Sequence, residues 1–186
     1  MIKTTFYTGA GLVALAFAGA ISAQAATQPS TTKPAAKPFV CPIEALDALS
    51  RKPLPAKPSR TFAVTTVITS EGGEWRVYNT KAGLAHLVRV DGGEGGMMET
   101  QLSVISPRAY VIRETSISYL RHAFLEGPNA DAKEVTTRYF FCDGKVYQPG
   151  NGAAILGDDY VTDGHGAQTR MLDDKDTKAL TRPLKR

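Results

Sequence analysis

Beyond residue 60 the chain alternates apolar and polar side chains with a period of two. Phe62, Val64 and Ile68 fall on one side of an extended segment. Trp75 and Val77 alternate with Arg76 and Tyr78, and the turn-forming run 79–83 (NTKAG) follows. Leu84, His86, Val88 and Val90 alternate with Ala85, Leu87 and Arg89 as far as a glycine-rich loop at 91–96. Met98, Thr100, Leu102 and Val104 continue to a turn at Ser106-Pro107, and a long strand through Tyr110 and Ile112 extends to about Arg121. Val135 to Cys142 forms the next strand, and Asp143-Gly144 is a strong hairpin signal leading into Lys145-Val146-Tyr147. Short strands at roughly ten-residue spacing, joined by Gly, Asn and Pro turns, predict an antiparallel meander. The expected fold is mostly β: about seven strands curled into a small barrel or half-barrel, so that few edges stay open.

Before residue 60 the period is different. Ile43, Leu46 and Leu49 make one apolar stripe, and Pro42 suits the first turn, so a short helix is expected over 42–50. The group 52–58 (KPLPAKP) ends it. Downstream of Gln148 the chain is Gly- and Asp-rich with little periodicity, so 149–186 reads as irregular. Ala153–Leu156 and Tyr160-Val161 are candidates for edge pairing, a short C-terminal helix capped by Asp173-Asp174 is expected to run to about Leu180, and the last five residues are expected to fray.

The N-terminus has its own pattern. Lys3 precedes an apolar run from Gly9 to Ile21, and Ala23-Gln24-Ala25 is a small-x-small site. This predicts a signal peptide over 1–25, cleaved after Ala25. The run is shorter than the roughly 20 residues that span a bilayer, so no transmembrane anchor is expected after cleavage. Residues 26–58 read as a Pro/Lys-rich linker carrying the short helix, and 59–186 as the β-domain, with its core over 60–148.

Charge follows the same division. Residues 26–60 hold six Lys/Arg against two acids, whereas 61–186 hold fifteen against sixteen. The basic character therefore belongs to the linker, where weak contact with an anionic surface is the one electrostatic role it suggests. A nucleic-acid partner is not expected, because the domain shows no basic, aromatic-studded face. Cys41 and Cys142 are the two cysteines, and in an exported chain they are expected to form a disulfide.

Candidate chemistry is sparse. No G-x-S-x-G elbow is present, and His86, His122 and His165 are scattered, which argues against a serine triad. His86 shares a strand face with Leu84 and Val88, so a half-buried, hydrogen-bonded histidine is expected there. The run 92–96 (GGEGG) lacks the Gly-Lys-Ser/Thr of a phosphate loop and reads as a hairpin tip. Asp159, Asp163 and His165 are candidate metal ligands, although the segment breaks the calcium-loop pattern at Val161 and Arg170. Glu71, Glu74, Glu94, Glu99 and Glu114 suit acid–base chemistry one by one, but nothing selects a pair. Trp75, Tyr78, Tyr110 and Tyr119 are candidates for an aromatic groove, with Met97 and Met98 as adaptable contacts beside them. No cofactor is expected.

Together these features predict an exported, periplasmic or secreted, non-enzymatic binding module for an envelope protein, a glycan or an apolar ligand. The alternatives are a small hydrolase of cell-wall or extracellular polymer and a structural component of an envelope assembly.

Overall fold

The computed structural model describes residues 39–66, 71–119, 132–148 and 157–186. The expected signal peptide, the linker to residue 38, Ile68, His122 and Ala153–Leu156 lie outside the described residues.

Helix α1 (Ile43–Arg51) is followed by seven strands: β1 (Arg60–Ala63), β2 (Gly73–Thr80), β3 (Gly83–Gly93), β4 (Gly96–Ser106), β5 (Ala109–Tyr119), β6 (Ala132–Cys142) and β7 (Lys145–Tyr147). Helices α2 (Asp158–Leu172) and α3 (Lys178–Thr181) end the chain. The strands lie in sequence order in one sheet, each antiparallel to the next. The meander therefore matches the alternation. The sheet does not close: β1 and β7 are its edges, and helices cover its faces instead of a barrel enclosing them.

Cross-strand registry explains the core. Val77, Leu87, Leu102, Ile112 and Tyr139 stand opposite one another across β2 to β6 on one face, all buried. Tyr110, Phe141 and Val146 extend this patch, and Tyr110 stacks on Phe141 with ring centroids 5.0 Å apart. Ala167, Met171 and Leu172 of α2 close it. On the opposite face Val111 and Phe140 pack under Leu46 and Ile43 of α1, with Phe39 and Cys41 beside them. The helix expected over 42–50 is thus part of the folded unit, shifted by one residue, with Pro42 at the N-cap.

The C-terminal third differs from the sequence expectation. Residues 158–172 are a fifteen-residue helix, so Tyr160-Val161 is helical and adds no edge pairing. Gly164, Ala167, Gln168, Met171 and Leu172 form its buried stripe at helical spacing. Gly164 sits where a Cβ would lie 3.0 Å from Tyr139 and 3.1 Å from Val146, so its bare backbone lets the helix approach the sheet. Asp173 closes α2 rather than opening the next helix, which starts after Thr177. The terminal residues are also held. Leu184 is in the core, the Lys185 amide donates to the Pro107 carbonyl at 2.7 Å, and the Tyr110 hydroxyl donates to the Lys185 carbonyl at 2.7 Å.

One turn matches its sequence signal and one is tighter than expected. Asp143 (φ 55°) and Gly144 (φ 82°) form the left-handed pair that a two-residue hairpin needs. A Cβ on Gly144 would also strike the Arg186 carbonyl. The loop expected at 91–96 is shorter, because pairing continues through Gly92 with Met97 and Gly93 with Gly96, leaving Glu94-Gly95 as the turn.

Cys41 and Cys142 form a disulfide, with Cα atoms 5.6 Å apart and 101 residues apart in sequence. The bond joins the residue ahead of α1 to the end of β6, beside the patch that α1 covers. A disulfide suits an oxidising, extracellular compartment. No described helix is long and apolar enough to cross a membrane. In the chain-entropy model a loop of this size stabilises by about 4–5 kcal/mol. Replacing Cys142 with Ser is expected to lower the urea-unfolding free energy by about that much and to open Arg51 to trypsin; a loss below about 1 kcal/mol would show that α1 stays seated without the bond.

Candidate binding site

Two buried polar networks use the titratable groups of the sheet. On the α2 face, the Arg89 guanidinium donates to both carboxylate oxygens of Asp91, at 2.6 and 3.0 Å, and to Asp174 at 3.1 Å. It also lies over the Trp75 ring, 5.5 Å from its centroid. Thr66 donates to Asp174, and Thr65 binds Asp176 through its hydroxyl (2.5 Å) and its amide (2.7 Å), which holds the Asp176 carboxyl below the usual carboxylate range. The cluster fastens the segment after α2 to β3 and to the chain leaving β1.

On the α1 face the hydrogen bonds run in one direction. Arg113 donates to the Gln101 side-chain carbonyl at 2.8 Å, Gln101 donates to the Ser103 hydroxyl at 2.8 Å, and Ser103 Oγ lies 2.8 Å from His86 Nδ1. Burial, and secondarily the charge of Lys52, pushes the imidazole below its ordinary value. Arg113 also donates to Glu99 at 3.1 Å and to the Ser50 carbonyl at 3.3 Å. His86 is thus the hydrogen-bonded histidine its strand position implies. Ser103 is 1% and His86 9% exposed, so both members of the pair are buried.

The expected site residues separate into groups. Trp75 and Tyr110 are fully buried and Tyr78 nearly so, with its ring edge-on to His86, so these three belong to the core and do not line an aromatic groove. Burial pushes the Tyr110 hydroxyl up to about 12, as it accepts from Gln168 at 2.5 Å. Asp159, Asp163 and His165 all lie exposed on α2. Asp159 and Asp163 share a face at i,i+4 while His165 points elsewhere, bonding Gln168 at 3.2 Å. The metal reading fails because it assumes a loop, whereas a helix spreads the three ligands apart. Among the described residues no three His, Cys, Asp or Glu side chains are grouped as a metal would need. Glu74, Glu99 and Glu114 each pair with an arginine: Arg76, Arg113 and Arg170.

Met97, Met98 and Tyr119 come together at one end of the sheet. An eleven-residue strand extends about 36 Å, whereas α1 is about 14 Å long and α2 about 22 Å. Among the described residues, the far end of β4–β6 is only partly buried or exposed. There a cleft of about 290 Å³ is lined by Met97, Met98, Ile117, Ser116 and Ser118, with Asp91 at its inner end. Gly96 forms part of its floor, since any Cβ there would strike the Ile117 carbonyl. The Tyr119 amide donates to the Gly95 carbonyl at 3.1 Å, which ties the end of β5 to the turn. A second, polar cleft of about 220 Å³ lies behind it, between Glu99, Arg113 and Glu134. Sequence reasoning missed Ile117 and the serines, whose signal is position alone: Ile117, Ser116 and Ser118 stand on β5 opposite Met97, Met98 and Gly96.

No protein-family model matches the chain, and no curated protein or solved structure is similar enough to it to support a comparison.

The networks make two tests. Arg89→Ala leaves Asp91 and Asp174 buried without their counter-ion and is expected to cost about 3–5 kcal/mol in urea unfolding; a cost under about 1 kcal/mol would show the cluster is open to water. His86 has a depressed folded value, so the unfolded chain takes up its proton first. Its stabilising contribution is complete above the unfolded value near 6.5 and is lost as pH falls through the lower folded value. His86→Gln is expected to flatten the stability–pH slope below about pH 6.5; an unchanged slope would assign it to other groups.

Proposed function

We propose that the chain is an exported, non-enzymatic binding module of the cell envelope that takes an apolar group into the cleft at the open end of its sheet. The observation that carries this is the cleft's chemistry. Its wall is two thioethers and an isoleucine, its floor is glycine backbone, and its one carboxylate, Asp91, is held by Arg89 on both oxygens. Such a surface offers dispersion and desolvation to a partner, and methionine adapts to varied shapes. Met98 is 36% exposed in a strand whose central residues Thr100–Ser103 are buried, so its apolar side chain extends beyond the buried stretch. Export is supported by the Lys3, Gly9–Ile21 and Ala23–Ala25 pattern together with the disulfide. The ligand class most consistent with the lining is an acyl chain or an apolar side chain of an envelope protein.

Titration with a lauroyl-chain probe below its micellar threshold, followed by the methionine methyl resonances, tests the reading. Met97 and Met98 are expected to shift saturably while buried Met171 stays in place, and Met98→Glu is expected to weaken binding about tenfold, the equivalent of about 1.4 kcal/mol. Absent shifts, or equal shifts at Met171, would sink it.

A further inference from the structure

The reactive sulfur of the folded chain is concentrated at the apolar cleft. The chain has two cysteines, and both lie in the disulfide, so no thiol competes for an oxidant. The other sulfurs of the described residues are the thioethers of Met97, Met98 and Met171. Oxidation of sulfur follows its exposure, and these three differ widely. Met171 is fully buried in the core that α2 closes, Met97 is half-buried, and Met98 is 36% exposed.

The two cleft methionines also differ in their neighbours. Adjacent on β4, they point to opposite faces of the sheet. Met98 stands between Asp91 of β3 and Ser116 of β5, with Ser118 diagonal to it. Side chains directly opposite in a ladder have Cβ atoms about 4.5–5.5 Å apart. Asp91 is already held by Arg89 on both oxygens, whereas Ser116 and Ser118 are exposed hydroxyls. A sulfoxide oxygen on Met98 is an acceptor, and a serine hydroxyl is a donor. Met97 stands between Gly92 and Ile117, neither of which has a side-chain donor.

We propose that Met98 is an oxidation site, at which hydrogen peroxide forms the sulfoxide in the folded chain and turns the cleft from apolar to polar. The thioether sulfur attacks one peroxide oxygen, an S–O bond forms and the O–O bond breaks. The sulfur is oxidised by two electrons. The departing hydroxide takes the proton of the transferred oxygen and leaves as water. The fold accommodates the product, because β4 is paired on both sides at this position and the oxygen is added where Met98 is already exposed. An acyl chain entering the cleft must then displace water and hydroxyls from the sulfoxide without replacing their hydrogen bonds, which opposes binding. The effect on binding rests on the function proposed above; the order of oxidation does not.

Treating the disulfide-intact chain with hydrogen peroxide, and following each methionine by tandem mass spectrometry of protease fragments, tests the site. Met98 is expected to take up oxygen first, Met97 next, and Met171 at least about tenfold more slowly than Met98. The thermal midpoint is expected to stay unchanged when Met98 is oxidised. Lauroyl affinity is expected to fall about tenfold in the oxidised chain. Met98→Leu is expected to remove most of that loss, and Met171→Leu to leave it in place. Oxygen uptake at Met171 as fast as at Met98, a midpoint that falls as Met98 is oxidised, or a Met98→Leu variant as peroxide-sensitive in binding as the parent would overturn the proposal. A parent chain that binds no lauroyl probe overturns the proposed function, and the oxidation site is then decided by the order of uptake and the midpoint.

Discussion

A sheet that carries large apolar side chains on both faces needs a cover on each, and among the described residues that cover is chiefly two helices. The row Val77, Leu87, Leu102, Ile112 and Tyr139 presents large apolar groups on one face, and Val111 and Phe140 do so on the other. Leaving them wet would cost roughly 1.5–3 kcal/mol per side chain. The two covers are fastened by different means. α1 is nine residues long, too short to be stable alone, and is held by Leu46 and by the covalent link one residue ahead of its cap. α2 is held by contact. Gly164 allows it to sit against Tyr139 and Val146, and the segment that follows is locked by Arg89, Asp91 and Asp174.

The polar networks follow from the same geometry. A strand covered on both faces buries whatever it carries, and β3 carries His86, Arg89 and Asp91 around the buried pair Leu87 and Val88. Each of these is satisfied within the sheet or by an element that covers it. The charge on Arg89 is neutralised by one carboxylate from its own strand and one from the far side of α2. A buried cluster of this kind adds little net stability relative to an apolar core of the same shape, but it tolerates no missing member. It therefore fixes where the C-terminal segment docks rather than how tightly.

The same physics decides which features the sequence made legible. Strands were readable because Trp75, Val77, Leu102 and Ile112 are large and recur at period two, and because Asp143-Gly144 is a turn signal with a steric basis. α2 was not readable. Its buried stripe is Gly164, Ala167 and Gln168 before it reaches Met171 and Leu172, and small or polar residues carry almost no hydrophobic signal although their spacing is helical. Glycine lowers helix propensity by about 1 kcal/mol, and its reason for being there, the approach to Tyr139, is tertiary. The aromatic candidates fell into the core for a related cause: a strand pattern shows which residues share a face, but not how far a helix extends over it. Met97 and Met98 lie beyond that cover and Trp75 and Tyr110 beneath it.

The proposed site lies at that boundary. On the α2 face the row of buried side chains stops near Thr100 and Glu114, where Arg170 of α2 bonds Glu114. Past this line β4 and β5 keep pairing residue by residue as far as Gly96 and Ser118, although their side chains there are only partly buried or exposed. Strand pairing that outruns its core adds edges and wet backbone, both of which a folded chain ordinarily minimises. The overhang carries thioethers, an isoleucine and glycine backbone along one cleft, beside charged residues such as Glu99 and Glu134 that line the other. On the proposed function, a ligand completes this apolar surface, because the centre of the sheet has its polar groups paired and its large side chains buried.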